Sequence, residues 1–112
     1  MELISKKCVA CSSDTPPIAR TEAEKLLTQI PEWNLTEEAG ILRIKKDFKF
    51  KDFKEALAFV NKVGEIAESE GHHPNIRLHN WNKVELENYT HKIKGMSEND
   101  FILAAKVNVL IK

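Results

Sequence analysis

Histidine is the side chain in this sequence best suited to moving protons near neutral pH. The chain contains only four: His72, His73, His79 and His91. His72 and His73 are adjacent, and Pro74 follows them. A proline biases the preceding residue towards an extended backbone and stiffens the loop. Both imidazoles could therefore be held near one cleft, where they would act as general acid and base.

His91 lies at the far end of a segment in which apolar and polar residues alternate. It has the same strand parity as Glu87 and Tyr89, and the opposite parity to Val84 and Leu86. If Val84 and Leu86 face the helices, His91 faces the open side of the sheet. A one-residue bulge would reverse this assignment.

Three interpretations of the histidines compete at this point. Three imidazoles can bind catalytic zinc, but the sequence has neither the helical H-x-x-x-H spacing nor the strand H-x-H spacing. The histidines could instead be solvent-exposed residues of a polar loop. The third interpretation is metal-free acid-base catalysis in a small cleft.

The elements that must position these histidines follow from the periodicity of the apolar residues. Spacings of three and four predict helices, and alternation predicts strands. The predicted order begins with a helix at about 21–30, two strands around 33–35 and 42–45, and a helix at about 50–70. From residue 76 the pattern predicts one long strand, or two with a bend near 80–82, ending at Gly95, and then a helix at about 98–111. Strands paired in hairpins with helices on one face define an α+β fold, with an antiparallel sheet of about four strands.

Local signals predict where the helices begin and which faces they bury. Thr21 and Glu24 form a capping box for the first helix. Ser97 can cap the last helix, with Asp100 at its third position, where a carboxylate suits the helix dipole. The apolar stripe expected on the long helix consists of Phe53, Leu57, Val60, Val63 and Ala67.

The last helix is apolar around almost its whole circumference, which indicates burial on more than one side. In so small a domain, we expect the second covering surface to come from another subunit. On that hypothesis Leu103 lies at a subunit boundary. The substitution Leu103→Asp should then break the assembly, because a charge in an apolar interface is costly.

Length and charge bound the class of protein. The 112 residues fit one domain spanning 1–112, with 1–19 expected to be a loosely structured N-terminal segment. Seventeen basic and 17 acidic residues give zero net charge, which argues against direct nucleic-acid binding and favours self-association. The sequence has no run of 18 apolar residues and no visible secretory signal, so no membrane span is expected and the expected compartment is the cytoplasm.

The two cysteines, Cys8 and Cys11, are spaced as C-x-x-C. Two thiols cannot complete a structural zinc site, which needs four ligands, and a redox pair would need a lowered thiol pKa. Residues 12–17 are rich in serine and proline, which is typical of a loop. We expect an exposed segment with incidental thiols; a redox pair and a metal site shared with another subunit are the alternatives.

One set of spacings links several of these residues. An acidic residue, His-His-Pro, an aromatic residue, a histidine and an aspartate follow one another at fixed intervals as Glu68, His72-His73-Pro74, Trp81, His91 and Asp100. This pattern resembles the signature of the pterin-4a-carbinolamine dehydratase family, also called 4a-hydroxytetrahydrobiopterin dehydratases. The resemblance covers about residues 6–112; Met96, where the family often has leucine, is a conservative departure.

The resemblance implies a dehydration. The family converts 4a-hydroxytetrahydropterin, left by aromatic amino acid hydroxylases, to quinonoid dihydropterin and water. It implies that the pterin is the substrate, that no metal or organic cofactor takes part, and that the protein forms homodimers or homotetramers.

By resemblance, His72, His73 and His91 are the catalytic set, and Pro74, Thr90, Lys92 and Ile93 line the pterin site. Glu68 would orient or charge an imidazole, or is a solvated helix carboxylate. Asp100 is expected to be a helix N-terminal residue rather than a catalyst, and Trp81 to pack beneath the site rather than stack on the substrate. His79 lies outside the signature and is expected on the surface.

Two alternatives belong to other functional classes. Some members of the resembling family act as dimerisation cofactors that dock by helices onto a homeodomain transcription factor. The physiological substrate could also be another pterin, for example one in molybdenum-cofactor metabolism. A pure binding role predicts that loss of His72 or His91 is silent, whereas an enzymatic role predicts large losses of activity.

Overall fold

Alternating apolar residues form an antiparallel sheet. The computed structural model describes residues 3–8 and 15–111, which include this sheet and its helices. The strands are β1 (Asn34–Glu38), β2 (Ile41–Lys49), β3 (Asn75–His79) and β4 (Lys83–Asn88). The helices are α1 (Arg20–Leu27), α2 (Phe53–Glu70) and α3 (Glu98–Leu110), and short 3-10 turns cover Leu3–Ser5 and His91–Ile93. The strand order is β1-β2-β4-β3, with antiparallel neighbours throughout. The predicted α+β fold is confirmed.

One face of the sheet is apolar and packs against the helices. Ile44, Phe48, Val84 and Leu86 are buried on this face, and Lys46 shares it and is also buried. The alternate residues of each strand point to the opposite, open face. The segment expected to be one strand or two is two strands, β3 and β4. They are joined by a turn in which Asn80 and Trp81 have φ values of 48° and 57°.

The helix before the His-His-Pro loop has well-defined ends. Asp52 precedes α2, and its side chain accepts a hydrogen bond from the backbone N–H of Glu55 at 2.8 Å. Gly71 ends α2 in the left-handed region, with φ of 65°. The buried stripe is Ala56, Phe59, Val63 and Ala67. The stripe predicted from sequence is therefore right only in part, because Phe53 and Leu57 are exposed.

The packing of α3 within one chain corrects the prediction that Leu103 lies at a subunit boundary. Residues 99–105 and 107 of α3 are already buried within one chain. The 3-10 turn at Leu3–Ser5 packs against α3. Leu3 is buried, and its backbone N–H donates to Oε1 of Gln29 at 2.8 Å. Leu103 is a core residue of this chain, so Leu103→Asp would unfold the domain rather than report on subunit contacts.

Of the two helix starts predicted from the sequence, that of α1 is wrong and that of α3 is confirmed. α1 begins at Arg20 with Ala19 at the N-cap, so the capping box expected from Thr21 and Glu24 is wrong. Ser97 stands at the N-cap of α3, as predicted. In the described part of the chain, every helix is too short or too polar to cross a membrane.

Candidate active site

A buried carboxylate, Asp100 in the first turn of α3, stands at the centre of the predicted site residues. Its Oδ1 lies 2.7 Å from Nε2 of His72. Its Oδ2 accepts hydrogen bonds from Oγ1 of Thr90 at 2.8 Å and from the backbone N–H of Ser97 at 3.0 Å. The carboxylate thus joins the helix start, the end of the sheet and the first histidine of the His-His-Pro loop.

The local fold explains why Asp100 can reach all three partners. A carboxylate at the third helical position reaches back to the N–H of the N-cap residue, which here is Ser97. Thr90 is held by its own backbone, because its N–H donates to the carbonyl of Gly95 at 2.7 Å. Gly95 has no room for a side chain: an added Cβ would lie 2.7 Å from Cβ of Pro17. This close approach fixes the loop that begins at His91.

The second histidine of the loop has a different environment. Nε2 of His73 lies 3.3 Å from Oε2 of Glu68, and the two side chains are 61% and 78% exposed. By contrast, the His72 and Asp100 side chains are 13% and 1% exposed. Glu68 therefore pairs with His73, although it precedes His72 by one helical turn. The two adjacent imidazoles each face a carboxylate, one in the interior and one in solvent.

The third histidine, His91, is exposed and begins the 3-10 turn after β4. Its ring lies 4.4 Å from the ring of Tyr89, at an interplanar angle of 42°. The guanidinium of Arg43, on the neighbouring strand β2, stands 4.2 Å from the centre of the Tyr89 ring. These contacts agree with the prediction that His91 faces the open side of the sheet.

Sequence reasoning missed the charged network of Glu87, which connects to the Tyr89 ring through Arg43. Glu87 accepts hydrogen bonds from Nδ2 of Asn75 at 2.9 Å and from Nη1 of Arg43 at 3.2 Å, and Lys45 lies 3.4 Å away. Burial alone would raise the pKa of Glu87, but the hydrogen bonds from Asn75 and Arg43 outweigh it and hold the pKa below its usual value. Glu87 shares strand parity with His91, but only the register between strands could have identified its partners.

Comparison with known proteins assigns the family. Residues 16–110 match the model of the family described as pterin 4 alpha carbinolamine dehydratase. The chain belongs to this family. A curated relative from Chlorobium luteolum is 46% identical over 99% of this chain and 96% of its own length. One from Halorhodospira halophila is 49% identical over 98% of each. Both carry the name "Putative pterin-4-alpha-carbinolamine dehydratase".

A solved structure supports the same assignment. The protein described as transcriptional coactivator/pterin dehydratase from Brucella melitensis has a TM-score of 0.75 and 29% identity, covering 86% of this chain and 99% of that one. This carbinolamine dehydratase fold therefore extends over nearly the whole sequence.

The other residues predicted to line the pterin site differ in their exposure to solvent. Pro74 is half-buried and Lys92 is exposed. Thr90 and Ile93 are buried. Thr90 donates a hydrogen bond to Asp100, and the place of Ile93 in the lining of the pterin site stays a prediction.

The position of Trp81 corrects the prediction that its side chain packs beneath the site. Its side chain is 60% exposed and lies in the turn between β3 and β4. The five residues of β3 separate it from the His-His-Pro loop, a distance of roughly 15 Å at about 3.3 Å per residue. Trp81 therefore does not pack beneath the histidines of its own chain. His79, at the same end of β3, is half-buried.

The thiol of Cys8 is poorly suited to redox chemistry. Burial, followed by the neighbouring Glu70 carboxylate, raises the pKa of Cys8 to about 12, and a reactive thiol requires a lowered pKa. Cys11 lies outside the described residues. Among residues 3–8 and 15–111, no three His, Cys, Asp or Glu side chains converge as metal ligands.

Proposed function

We propose that this member of the family is a pterin-4a-carbinolamine dehydratase that works by metal-free acid-base catalysis with His72, His73 and His91. The observation that carries the proposal is the contact of His72 with buried Asp100. The same carboxylate is bound by Thr90, next to His91. One imidazole fixed by a carboxylate and two exposed imidazoles support proton transfer at a small bicyclic substrate.

The reaction requires one proton to be delivered and one to be removed. Protonation of the C4a hydroxyl makes it leave as water when the C4a–O bond breaks. Loss of the N5 proton supplies the electron pair of the new C4a–N5 double bond, which gives the quinonoid dihydropterin. One protonated and one neutral imidazole perform both transfers, so no net proton is consumed. Such general acid-base catalysis contributes about 10² to 10⁴ in rate.

Asp100 supports a definite protonation pattern for His72. An ionised carboxylate only accepts hydrogen bonds, so Nε2 of His72 carries the hydrogen that it shares with Oδ1 of Asp100. The other ring nitrogen, Nδ1, is then left for proton transfer. Asp100 acts here as a positioning residue. It holds the ring and its tautomer, while the three imidazoles carry the protons.

The decisive assay is dehydration of freshly generated 4a-hydroxytetrahydropterin, followed by absorbance, with and without protein and in EDTA. We expect acceleration that survives EDTA, and a loss of about 10² or more in His91→Ala. His79→Ala is the matched control, because it removes an imidazole at the opposite end of β3. No acceleration, or a His91→Ala variant within threefold of wild type, would contradict the catalytic proposal.

A second candidate function is favoured by one specific feature. Phe53 and Leu57 lie one turn apart on α2 and are exposed, and the Brucella relative is described as a coactivator as well as a dehydratase. We propose that this face of α2 mediates association, either as a homo-oligomer or with a transcription factor. Light scattering of Leu57→Lys tests it: a mass equal to that of wild type would exclude this face from self-assembly.

Two further aspects remain predictions. The cytoplasmic location follows only from the sequence argument. The alternative proposal is a different physiological pterin, and comparing the rates with several 4a-hydroxypterins would identify it.

A further inference from the structure

Arg43 is a charged residue in an unusual position, since only 8% of it is exposed although it lies on the open face of the sheet. Its guanidinium is held from several sides. Nη1 donates to Glu87 at 3.2 Å, Nη2 to the carbonyl of Glu38 at 3.2 Å, and Nε to the carbonyl of Ile41 at 3.4 Å. A planar group bound at all three nitrogens has little freedom to move.

This fixed guanidinium stands against Tyr89, which in turn contacts His91. The distances are 4.2 Å from the guanidinium carbon of Arg43 to the Tyr89 ring centre and 4.4 Å between the Tyr89 and His91 rings. A guanidinium over a tyrosine ring is attractive, and aromatic rings at this separation are in contact. His91 is exposed, so these contacts limit the rotation of a ring that would otherwise turn freely in water.

Glu87 connects Arg43 to the His-His-Pro loop. One of its oxygens accepts from Arg43, and the other accepts from Nδ2 of Asn75 at 2.9 Å. Asn75 is the first residue of β3 and directly follows Pro74, so it holds the end of the His-His-Pro loop. A single carboxylate therefore links the support of His91 to the loop that carries His72 and His73.

We infer that Arg43 and Glu87 are positioning residues that set the orientation of His91 relative to the His-His-Pro loop. The inference rests on the proposed dehydratase function for its catalytic consequence. Arg43 acts through Tyr89, and Glu87 acts through Arg43 and Asn75. Their role is to hold the acid-base groups at one spacing, because a displacement of about 1 Å can cost about 10² in rate.

The test combines kinetics with NMR of the His91 ring. The ring protons of His91 lie within the ring current of Tyr89, so their resonances should be shifted upfield in the wild-type protein. Arg43→Met and Glu87→Gln should reduce that shift and lower kcat about tenfold or more, with KM changed less than about twofold. Arg43→Lys keeps the charge but loses the planar group, so it should recover only part of the shift and of kcat.

Arg20→Met is the matched control, because Arg20 forms an exposed ion pair with Glu37 at 3.1 Å on another part of the surface. It should leave the His91 resonances and kcat unchanged. If Arg43→Met does not fold, Tyr89→Leu removes the ring contact directly and should lower kcat by a similar factor; kcat alone is the readout for this variant, because the ring current is lost with the ring. Folded Arg43 or Glu87 variants with the wild-type His91 shift and kcat within twofold of wild type, or a Tyr89→Leu variant with kcat within twofold of wild type, would overturn the inference.

The two proposals can fail separately. If the wild-type protein does not dehydrate the pterin, the proposed function fails. The NMR measurement still decides whether Arg43 and Glu87 orient His91: a reduced shift supports the inference, and an unchanged shift overturns it.

Discussion

His72 and His73 are neighbours in sequence, yet their carboxylate partners lie in opposite environments. The pair of His72 with Asp100 is 2.7 Å long and almost excluded from solvent, whereas the pair of His73 with Glu68 is 3.3 Å long and open to water. Water and dissolved salt screen the charges of the exposed pair, and water competes for its hydrogen bond. Water has little access to the interior pair, so the geometry of His72 with Asp100 is more rigid than that of His73 with Glu68.

This difference shows how the His-His-Pro motif can supply one nearly buried imidazole and one exposed imidazole. Gly71 ends α2 in the left-handed region, and the chain then turns into β3. His72 points inward to the first turn of α3, while His73 remains beside the exposed last turn of α2. We expect His72 to be fixed by the fold, and His73 to adjust its position when a substrate binds.

The largest effect should follow from breaking the interior pair. Asp100→Ala removes the acceptor of His72, Thr90 and the Ser97 N–H together. Each buried donor left without an acceptor costs about 1–3 kcal/mol, so we expect a loss of about 3 kcal/mol or more in unfolding free energy. Denaturant unfolding measures this loss directly.

The matched control for Asp100 is Glu98→Gln, in the same first turn of α3. Glu98 is an exposed partner of Lys6 at 2.6 Å, and an exposed ion pair contributes about 0–1 kcal/mol. Asp100→Asn keeps the size of the side chain and one acceptor oxygen, so its loss should be intermediate. Equal stabilities for Asp100→Ala and Glu98→Gln would contradict the special role of the buried carboxylate.

A third carboxylate, Glu70, lies between the two extremes. It is 10% exposed, pairs with Lys106 at 2.7 Å, and accepts from the backbone N–H of Cys8 at 2.8 Å. The hydrogen bond from Cys8, and then Lys106, lower the pKa of Glu70 below its usual value. Glu70→Gln should cost about 1.5–3 kcal/mol at pH 7, the range for hydrogen bonds to charged groups.

The sign of the pH dependence follows from that lowered pKa. The folded protein holds Glu70 ionised more strongly than the unfolded chain does, whose Glu pKa is about 4.3. The stabilisation is therefore fully present above that value and is lost as the pH falls through the lower folded pKa. Urea unfolding of wild type and Glu70→Gln from pH 7 to pH 3 should show the two stabilities converging. A difference that stays constant down to pH 3 would exclude this ionisation as its source.

Local periodicity was enough to predict much of the fold. Alternation around Val84 and Leu86 identified the buried face of β4 and placed His91 on the other side, because strand parity is a local property. The N-cap at Ser97 was equally local. The family signature selected His72, His73 and His91 and included Asp100, whose contact with His72 depends on the packing of α3 against the loop.

The predictions that failed depended on distant parts of the chain. The apolar circumference of α3 predicts a subunit boundary, but α2 and the 3-10 turn at Leu3–Ser5, both distant in sequence, pack against this helix within the chain. Phe53 and Leu57 fit a helical stripe, yet the neighbours of α2 bury the adjacent face instead. Arg43 and Glu87 meet only through the register of β2 and β4, and a single sequence does not specify that register.

The smallest effect should come from the exposed pair. Glu68→Gln removes the charge beside His73 while keeping the size of the side chain. Because Glu68 and His73 are both open to water, the unfolding free energy should change by less than about 0.5 kcal/mol. Any effect on kcat should shrink as the salt concentration rises, since exposed charges are screened over about 10 Å at 0.1 M ionic strength. A change in kcat that is independent of salt would instead mean that Glu68 contacts the substrate, and the division between a fixed His72 and an adjustable His73 would then have to include Glu68 as part of the binding surface.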